Sequence, residues 1–430
     1  MHKSSTCAPK RERKREVSPL TSLSTRGSQT LILPFADYAK VVSDPIKFRS
    51  HLDACYQQYP EVFPGGFDQG YRLHDIRGSK KHPGYKIRRI SLRVGGCYSI
   101  LPSEMMLYLS GSSDYISKGL LLRRYAVPYE VIAEVIGRHA GFWERAEQQL
   151  GRVSIVGSLY KTKPISEHLV ADEKVTSING KEAVVAMTAA DECVLGASLS
   201  LTTDTQGLSQ AYGIFKAEAL CLQADYKAKT VTLDGWKASH QAWKYLFSSI
   251  SIVLCFLHEV IKVRNVTKKK PQLFYQIAEL LWNVYRATHA EQFTEGLATT
   301  LQWAETHLNE HAKVMAKLVA LAAKQEALLV SYQHQKCYRT SNQVDRPMNY
   351  LDRFLYQIRY FHGNLATAQL KVRAWAMIYN FAPFCERTRK NKKVKHRFEQ
   401  LNGFCYHENW LQNLNIAASM NGYRGHHKIQ

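Results

Sequence analysis

Acidic side chains are scarce in this sequence. The 430 residues include 36 Asp and Glu against 58 Lys and Arg, so the formal net charge is +22 at pH 7. A positive surplus of this size, spread along the chain, suits a polyanionic partner, and nucleic acid is the first candidate. A membrane surface would also attract this charge, but no strongly amphipathic basic helix stands out as an anchor.

Paired cysteines and long apolar runs are also lacking. The nine cysteines are scattered, odd in number and never spaced as Cys-x-x-Cys, which excludes a disulfide framework and a zinc ribbon. The most apolar run, 245–257, is too short to cross a bilayer, and the basic N-terminus has no apolar segment typical of a secretory signal. We therefore expect no membrane partner and an intracellular location, cytoplasmic and nucleoid-associated in a bacterium or nuclear in a eukaryote.

The first 152 residues divide into three expected regions. Residues 1–30 are rich in Ser, Thr, Lys and Arg, which predicts a disordered basic arm, and 31–110 reads as a small α+β region. Residues 111–152 form three short helical segments that fit a helix-turn-helix-like DNA-binding region, with His139–Gln149 as its recognition helix. A three-helix packing module is the alternative, because Trp143 and Leu150 must be buried somewhere.

The rest of the chain predicts an α/β core. Hairpin-forming strands, followed by strands that alternate with helices, indicate a mixed sheet over 165–264 and 340–384. An all-helical insertion, 265–339, interrupts this core, and 385–430 supplies a basic loop (Arg387–Arg397) and a compact tail. We expect the basic loop to contact phosphates, with a solvated surface run as the alternative.

Three aspartates lie on separate elements of this predicted core. Asp172 lies in the first strand, Asp234 ends the fourth strand, and Asp345 follows the helical insertion. Magnesium and manganese take oxygen ligands, and two such ions serve phosphoryl transfer when carboxylates converge from different elements. Glu173 and Asp191, in contrast, are expected to be solvated or turn residues.

Four short motifs resemble one family in order and spacing. Ala171-Asp-Glu-Lys-Val175 and Val231-Thr-Leu-Asp-Gly-Trp236 resemble the segments around the first two acids of DDE-type transposases. Cys255-Phe-Leu-His258 resembles the Cys-x-x-His signature of the insertion-sequence and Mutator-like branch, and Ser341-Asn-Gln-Val-Asp-Arg346 resembles its third-acid segment, with Asp in place of the usual Glu. The resemblance covers roughly residues 110–385.

The resemblance implies a fold, an activity and a site. It implies a ribonuclease-H-like core and a DNA transposase that cuts element ends and joins them to target DNA. Asp172, Asp234 and Asp345 would hold two Mg²⁺ ions, with Mn²⁺ as a substitute, and His258 would either contact the scissile phosphate or brace the site. Its partners would be double-stranded DNA, as terminal inverted repeats and target, and further copies of itself.

Several alternatives stay open at the sequence level. Asp352 or Glu326 would be the third acid if Asp345 is not, and Cys255 is expected to be a small buried residue rather than a zinc ligand. Trp282 and Trp303 are candidates for stacking on a base, but core packing is the commoner role of such residues. A structure-specific nuclease on the same scaffold and a non-catalytic DNA-binding regulator are the rival functions.

Overall fold

The computed structural model describes residues 30–79, 82–106 and 109–423, and in this part of the chain the architecture is mixed α/β. Its strands are β1 (Thr30–Leu33), β2 (Tyr71–Gly78), β3 (Lys86–Leu92), β4 (Cys97–Pro102), β5 (His168–Ile178), β6 (Lys181–Ala190), β7 (Cys193–Ser200), β8 (Thr230–Leu233) and β9 (Ser251–Leu254). Its helices are α1 (Tyr38–Val41), α2 (Pro45–Gln58), α3 (Ser113–Arg123), α4 (Tyr129–Ile136), α5 (Ala140–Leu150), α6 (Ile155–Leu159), α7 (Thr205–Leu222), α8 (Lys237–Leu246), α9 (Phe256–Val266), α10 (Pro271–Arg286), α11 (Ala290–His307), α12 (Ala312–Ala322), α13 (Gln325–Gln333), α14 (Asn342–Gln357), α15 (Leu365–Phe381), α16 (Glu386–Lys392), α17 (Arg397–Asn402) and α18 (Trp410–Ala417). Except for Thr30, the predicted basic arm lies outside the described residues.

The N-terminal region is a four-stranded sheet with one face against α2. Its strand order is β1-β4-β3-β2, with β1 parallel to β4 and the other pairs antiparallel. Arg88 is buried on the inner face, where its guanidinium lies 5.3 Å from the ring centre of Phe48 in α2. Gly95 and Gly96 both have positive φ in the turn between β3 and β4, as the sequence predicts.

The C-terminal tail packs on this same sheet. The Ser419 hydroxyl accepts a hydrogen bond from the Ile32 amide at 2.9 Å, and the Ser103 hydroxyl donates to Gln412 at 2.7 Å. Side chains along α18 are buried. The tail is compact, as predicted, and it joins the two ends of the described chain.

Helices α3, α4 and α5 form the expected three-helix region, but α5 is an inner helix. Trp143 and Leu150 are buried, and along α5 only Arg145 is fully exposed. The α5 helix packs against α15 of the core. The structure therefore favours the packing role of α5 over the recognition role, because most of the surface of α5 is already in contact with other helices.

The larger sheet is mixed and has the order β7-β6-β5-β8-β9. Strands β5, β6 and β7 are antiparallel, while β8 and β9 run parallel to β5. Asn179 and Gly180 have positive φ in the β5–β6 turn, and Asp191 and Glu192 have positive φ in the β6–β7 turn. The predicted hairpins and the turn role of Asp191 are thus confirmed.

Helices cover both faces and one edge of this sheet. Glu173 of β5 faces α7 and α8, while its neighbour Lys174 points the opposite way and pairs with Asp352 of α14 at 2.7 Å. At the β7 edge, the Asn380 side chain of α15 bonds the amide and the carbonyl of Val194 at 3.0 and 2.8 Å. The Asn380 side chain therefore forms hydrogen bonds with backbone groups that would otherwise be free to pair with another strand.

The helical insertion consists of α10 to α13 and has an apolar core of its own, to which α9 contributes. The buried side chains of this core include Val263, Ile277, Leu281, Phe293, Leu297, Val314 and Leu318. The predicted helical block is confirmed. Among the described residues, no helix is both long and apolar enough to cross a membrane.

Three predicted boundaries differ from the structure. The sequence pattern predicts one buried strand over 250–257, but the strand ends at Leu254 and a helix begins at Phe256, because a continuous apolar run fits a strand and a buried helix equally well. The basic loop contains the short helix α16. The sequence also predicts Asn342 as the cap of the next helix, but Ser341 occupies the N-cap position of α14.

Candidate active site

Asp172 and Asp234 lie side by side at the point where the parallel pairing of β5 with β8 ends. The last residue pair between the two strands is Val170 with Thr232, so Asp172, inside β5, and Asp234, just after β8, each lie two residues further along the chain. Gly235 follows at φ +103°, a backbone conformation that glycine adopts readily, and the Asp234 carboxylate accepts a hydrogen bond from the Trp236 amide at 2.9 Å. The sheet register thus brings the first two predicted acids together.

The segment that returns from the helical insertion carries Asp345 to the same end of the sheet. The Phe256 amide donates to the Arg339 carbonyl at 3.1 Å, and the Thr232 hydroxyl donates to the Tyr338 carbonyl. Asp345 lies in the first turn of α14, immediately after this segment. Backbone contacts with the ends of β8 and β9 therefore set the position of the third acid.

Cys255 connects β9 to the start of α14. The Ser341 amide donates to the Cys255 sulfur at 3.2 Å, and the thiol lies 3.4 Å from the Ser341 hydroxyl, which in turn donates to Asp345 at 3.0 Å. Cys255 is a small buried residue, as predicted, but this chain of contacts gives it a positioning role that the sequence did not reveal. The contact spans 86 residues, and no spacing rule finds it.

Arg339 fastens the same segment to the helical insertion. Its guanidinium donates to the Ala287 carbonyl at 3.2 Å and to the Tyr332 hydroxyl at 2.6 Å, and it lies over the rings of Tyr285 and Tyr332. Its backbone carbonyl meanwhile binds Phe256 at the end of the sheet. One residue therefore ties the insertion to the acid cluster.

The electrostatics of the site show that Asp234, Asp345 and His258 all lie near enough to Asp172 to act on its charge. Burial raises the pKa of Asp172 to about 6, the negative charges of Asp234 and Asp345 add to this, and the charge of His258 opposes it. The pKa of His258 is raised to about 9 by its contact with Cys255 and then by the charges of Asp172 and Asp234. His258 is therefore a cation at neutral pH and faces the carboxylates.

The apolar pattern before His258 predicts that this residue ends a strand, but it lies in the first turn of α9. Its Nδ1 atom is buried and has no hydrogen-bond partner among the residues the structure describes. The two predicted roles of His258, contact with the scissile phosphate and bracing of the site, both remain compatible with this position.

Glu173 is not solvated, contrary to the sequence-based expectation. It lies on the opposite face of β5 from Asp172, and its carboxylate accepts hydrogen bonds from Tyr212 at 2.7 Å and from Ser239. Burial raises the pKa of Glu173 to about 7. Because helices cover both faces of the sheet, the alternation of side chains along β5 places each acid in a different buried environment.

The two alternative third acids lie in other surroundings. Asp352 is more than half exposed and forms its ion pair with Lys174, while Glu326 is exposed in the first turn of α13. Asp345, in contrast, is one of the charges that raise the pKa of Asp172. The geometry therefore favours Asp345 over both alternatives.

The donor atoms suit a hard divalent cation, although the carboxylates are not gathered around one point. Each of Asp172, Asp234 and Asp345 uses one oxygen in a hydrogen bond to the chain, and the other oxygen accepts none from a described residue. An all-oxygen set of this kind matches Mg²⁺ and Mn²⁺. Within the described ranges, however, no three His, Cys, Asp or Glu side chains are arranged to hold a metal ion as they stand.

An apolar groove of about 410 Å³ lies next to this cluster. Leu257 and Thr340, the neighbours in sequence of His258 and Ser341, contribute to its wall. Trp282 also lines it, with 51% of its surface exposed, and its ring is stacked on Tyr285 at 5.2 Å. Trp282 is thus not a core residue, and Trp303, which stacks on His307 in α11, is only partly buried.

The basic segment after α15 is only partly available to a ligand. Arg397 is buried, with its guanidinium 3.7 Å from the ring centre of Tyr379, and Lys392 pairs with Glu192. Arg387 and Arg389 are exposed on α16 and form no ion pair within the described part of the chain. The surface cluster is therefore smaller than the sequence suggests.

No protein-family model matches the chain, and a comparison with curated proteins finds no similar sequence.

Proposed function

We propose that the protein is a metal-dependent DNA transposase with a ribonuclease-H-like core. Three antiparallel strands followed by two parallel ones, with the first strand in the centre, support this fold assignment. The position of the helical insertion, between β9 and the third acid, supports it as well. The basic charge of the chain agrees with DNA as the substrate.

One observation carries the proposal: Asp234 and Asp345 both lie near enough to Asp172 to act on its charge, although Asp345 is 173 positions further along the chain. A buried carboxylate beside two others is electrostatically unfavourable unless a cation or a proton compensates it. Such a cost is typical of functional sites rather than of structural ones.

The proposed reaction is hydrolysis at the element end, followed by joining to target DNA. Water attacks the phosphorus at the element end and breaks its bond to the 3′-oxygen, which leaves as a 3′-hydroxyl. This hydroxyl then attacks a target phosphorus, and the 3′-oxygen of the target strand leaves, so no covalent protein intermediate forms. Asp172, Asp234 and Asp345 would hold two divalent cations, and these would supply Lewis acidity at the attacking and leaving oxygens when bound. His258, a cation beside the carboxylates, is placed to offset their charge.

The test compares three Asp→Asn variants on supercoiled plasmid with Mn²⁺. Asp234→Asn and Asp345→Asn are expected to lose at least about 100-fold in nicking rate, because even the hydrogen-bonding partners of metal ligands cost about 10- to 100-fold when changed. Asp352→Asn, on the same helix as Asp345, is the matched control and should nick at the wild-type rate. Wild-type activity in Asp234→Asn would overturn the proposal.

A second candidate, a non-catalytic DNA-binding regulator, is favoured by one observation. The three carboxylates, as placed, are not arranged around a common metal position. A regulator binds plasmid DNA but does not nick it, so the same assay separates the two functions. Joining of a cut end to plasmid further separates a transposase from a nuclease on the same scaffold.

A further inference from the structure

The outer face of the N-terminal sheet is the surface turned away from α2. It is made up of Arg72 and Arg77 on β2 with Ile87, Arg89 and Ser91 on β3. Directly opposed residues of an antiparallel pair point to the same face, and Arg72 is opposite Ser91 while Arg77 is opposite Ile87. The intervening residues of β3 are buried on the inner face.

A single acid organises two of these arginines. Arg89 donates to both carboxylate oxygens of Asp75, at 2.7 and 2.6 Å, and Arg77 donates its Nε to Asp75 at 3.0 Å. Asp75 lies at the irregular register between Leu73 and Ile76, where a β-bulge turns it towards its partners. Two guanidinium groups share one carboxylate, so the cluster keeps a net positive charge.

The two outermost arginines have unused donors. Arg77 is 63% exposed, and its two terminal nitrogens form no hydrogen bond within the described part of the chain. Arg72 is exposed, and its side chain forms neither an ion pair nor a hydrogen bond with the residues placed in the structure. Planar guanidinium groups held in this way match the geometry of phosphate oxygens.

The outer face suits a duplex better than a single strand. Single strands are held largely by bases stacked on aromatic rings, and within β2 and β3 the outer face carries no Phe, Tyr or Trp, although Tyr85, 41% exposed, lies just before β3. Tyr71 belongs to the inner face, where its ring stacks on Phe67 at 4.8 Å. The outer face otherwise consists of arginine, serine and isoleucine, with Asp75 and His74 beside Arg89, and its guanidinium groups suit contacts with a phosphate backbone.

We propose that this outer face binds the phosphate backbone of double-stranded DNA, at a site separate from the acid cluster. The choice of DNA rests on the proposed function, while the arrangement of the arginines does not. The surface would supply a docking contact that α5 is too buried to make. The proposal places the DNA duplex on the N-terminal α+β region, for which the sequence predicted no function.

The test measures how the affinity for a DNA duplex depends on salt. Each lost phosphate contact lowers the slope of log Kd against log salt concentration by about 0.9. The Arg72→Gln/Arg77→Gln double variant, measured by fluorescence anisotropy, should therefore lose about 1.8 from the wild-type slope. Arg72→Gln alone should lower the slope by about 0.9. Because the Arg72 side chain makes no described contact, this single variant replaces the double variant if the latter fails to fold.

The matched control is Lys313→Gln/Lys317→Gln on α12, which removes the same charge from exposed positions of the helical insertion. An equal fall in slope for the control would attribute the effect to net charge and overturn the site. A wild-type slope for the arginine variants would do the same. A loss confined to single-stranded DNA of the same sequence would also overturn it.

Nicking in Mn²⁺ is measured on the same variants, so that the two proposals fail separately. If duplex binding depends on the arginines but the wild type does not nick, the outer-face proposal stands and the proposed enzyme activity is rejected. If the wild type nicks and the arginine variants keep the wild-type slope, the enzyme proposal stands and the outer-face proposal is rejected.

Discussion

At the scale of the residue, the acid cluster holds a carboxylate in surroundings that disfavour its charge. Asp172 is largely buried, and Asp234 and Asp345 raise its pKa further. The folded state therefore binds a proton at Asp172 more tightly than the unfolded chain does. This contribution to stability is complete below the unfolded pKa near 4 and is lost as the pH rises through about 6.

Asp172→Asn should consequently stabilise the metal-free protein at high pH. At pH 8 the free energy of unfolding is expected to rise by about 2 to 3 kcal/mol, since each pKa unit corresponds to about 1.4 kcal/mol. At pH 3 the difference should nearly vanish, because Asp172 is then largely protonated in both states. Urea unfolding at the two pH values measures this, and equal stability at pH 8 would contradict the raised pKa.

Motifs predicted the acids but not their supporting contacts. Asp172 and Asp234 are recognisable because each belongs to a strand with a distinct hydrophobic pattern. The burial of Glu173 was missed, because alternation along a strand does not tell whether its second face is covered. The contact of Cys255 with Ser341 was missed because it depends on how the insertion returns to the sheet.

At the scale of the element, close helix crossings depend on small residues. Gly151 follows α5 where it meets α15, and a Cβ atom there would lie 2.1 Å from the carbonyl oxygen of Leu370. That oxygen belongs to the backbone of a buried helix, so it cannot turn aside as a flexible side chain would. The crossing of α5 and α15 therefore requires glycine at this point.

Gly151→Ala should lower the free energy of unfolding by about 1 to 3 kcal/mol, the usual cost of overpacking. Gly213→Ala is the control: it lies inside α7, its Cβ would be 3.7 Å from Leu246, and alanine should add up to about 1 kcal/mol of helix stability. Thermal unfolding of both variants gives the comparison. Equal midpoints would mean that the crossing relaxes.

Element types were more predictable than element ends. The hairpins, α7, α8 and the helical insertion follow from alternation, turn residues and helical spacing. The boundary at Leu254 did not, because the apolar run continues from β9 into α9 without a break in pattern. The orientation of α5 was not predictable either, since its amphipathic pattern does not say how many neighbours it has.

At the scale of the whole molecule, the C-terminal tail holds the N-terminal sheet to the core. Asn415 donates to the Ser103 carbonyl at 3.3 Å and to the Ser113 hydroxyl at 3.0 Å, in addition to the contacts of Gln412 and Ser419. The same tail helix packs against α6 and α15. Residues far apart in sequence thus share one buried interface.

Removal of residues 409–430 should destabilise the entire protein, because it exposes the partners of a buried helix. We expect a fall of several degrees or more in the midpoint of thermal unfolding, at about 2 to 4 °C per kcal/mol for chains somewhat smaller than this one. Removal of 424–430 alone takes away none of these contacts and is the control. Equal midpoints for the two truncations would contradict the bridging role.

Arg339 links two bodies that otherwise have separate apolar interiors. Its side chain is held by the insertion and its carbonyl by the end of the sheet, only six residues before Asp345. Local opening of the insertion therefore does not stay local: it loosens the third carboxylate while the other two remain aligned on their strands. Substitutions deep among the helices of the insertion should therefore disturb the proposed active site, although they lie far from its carboxylates.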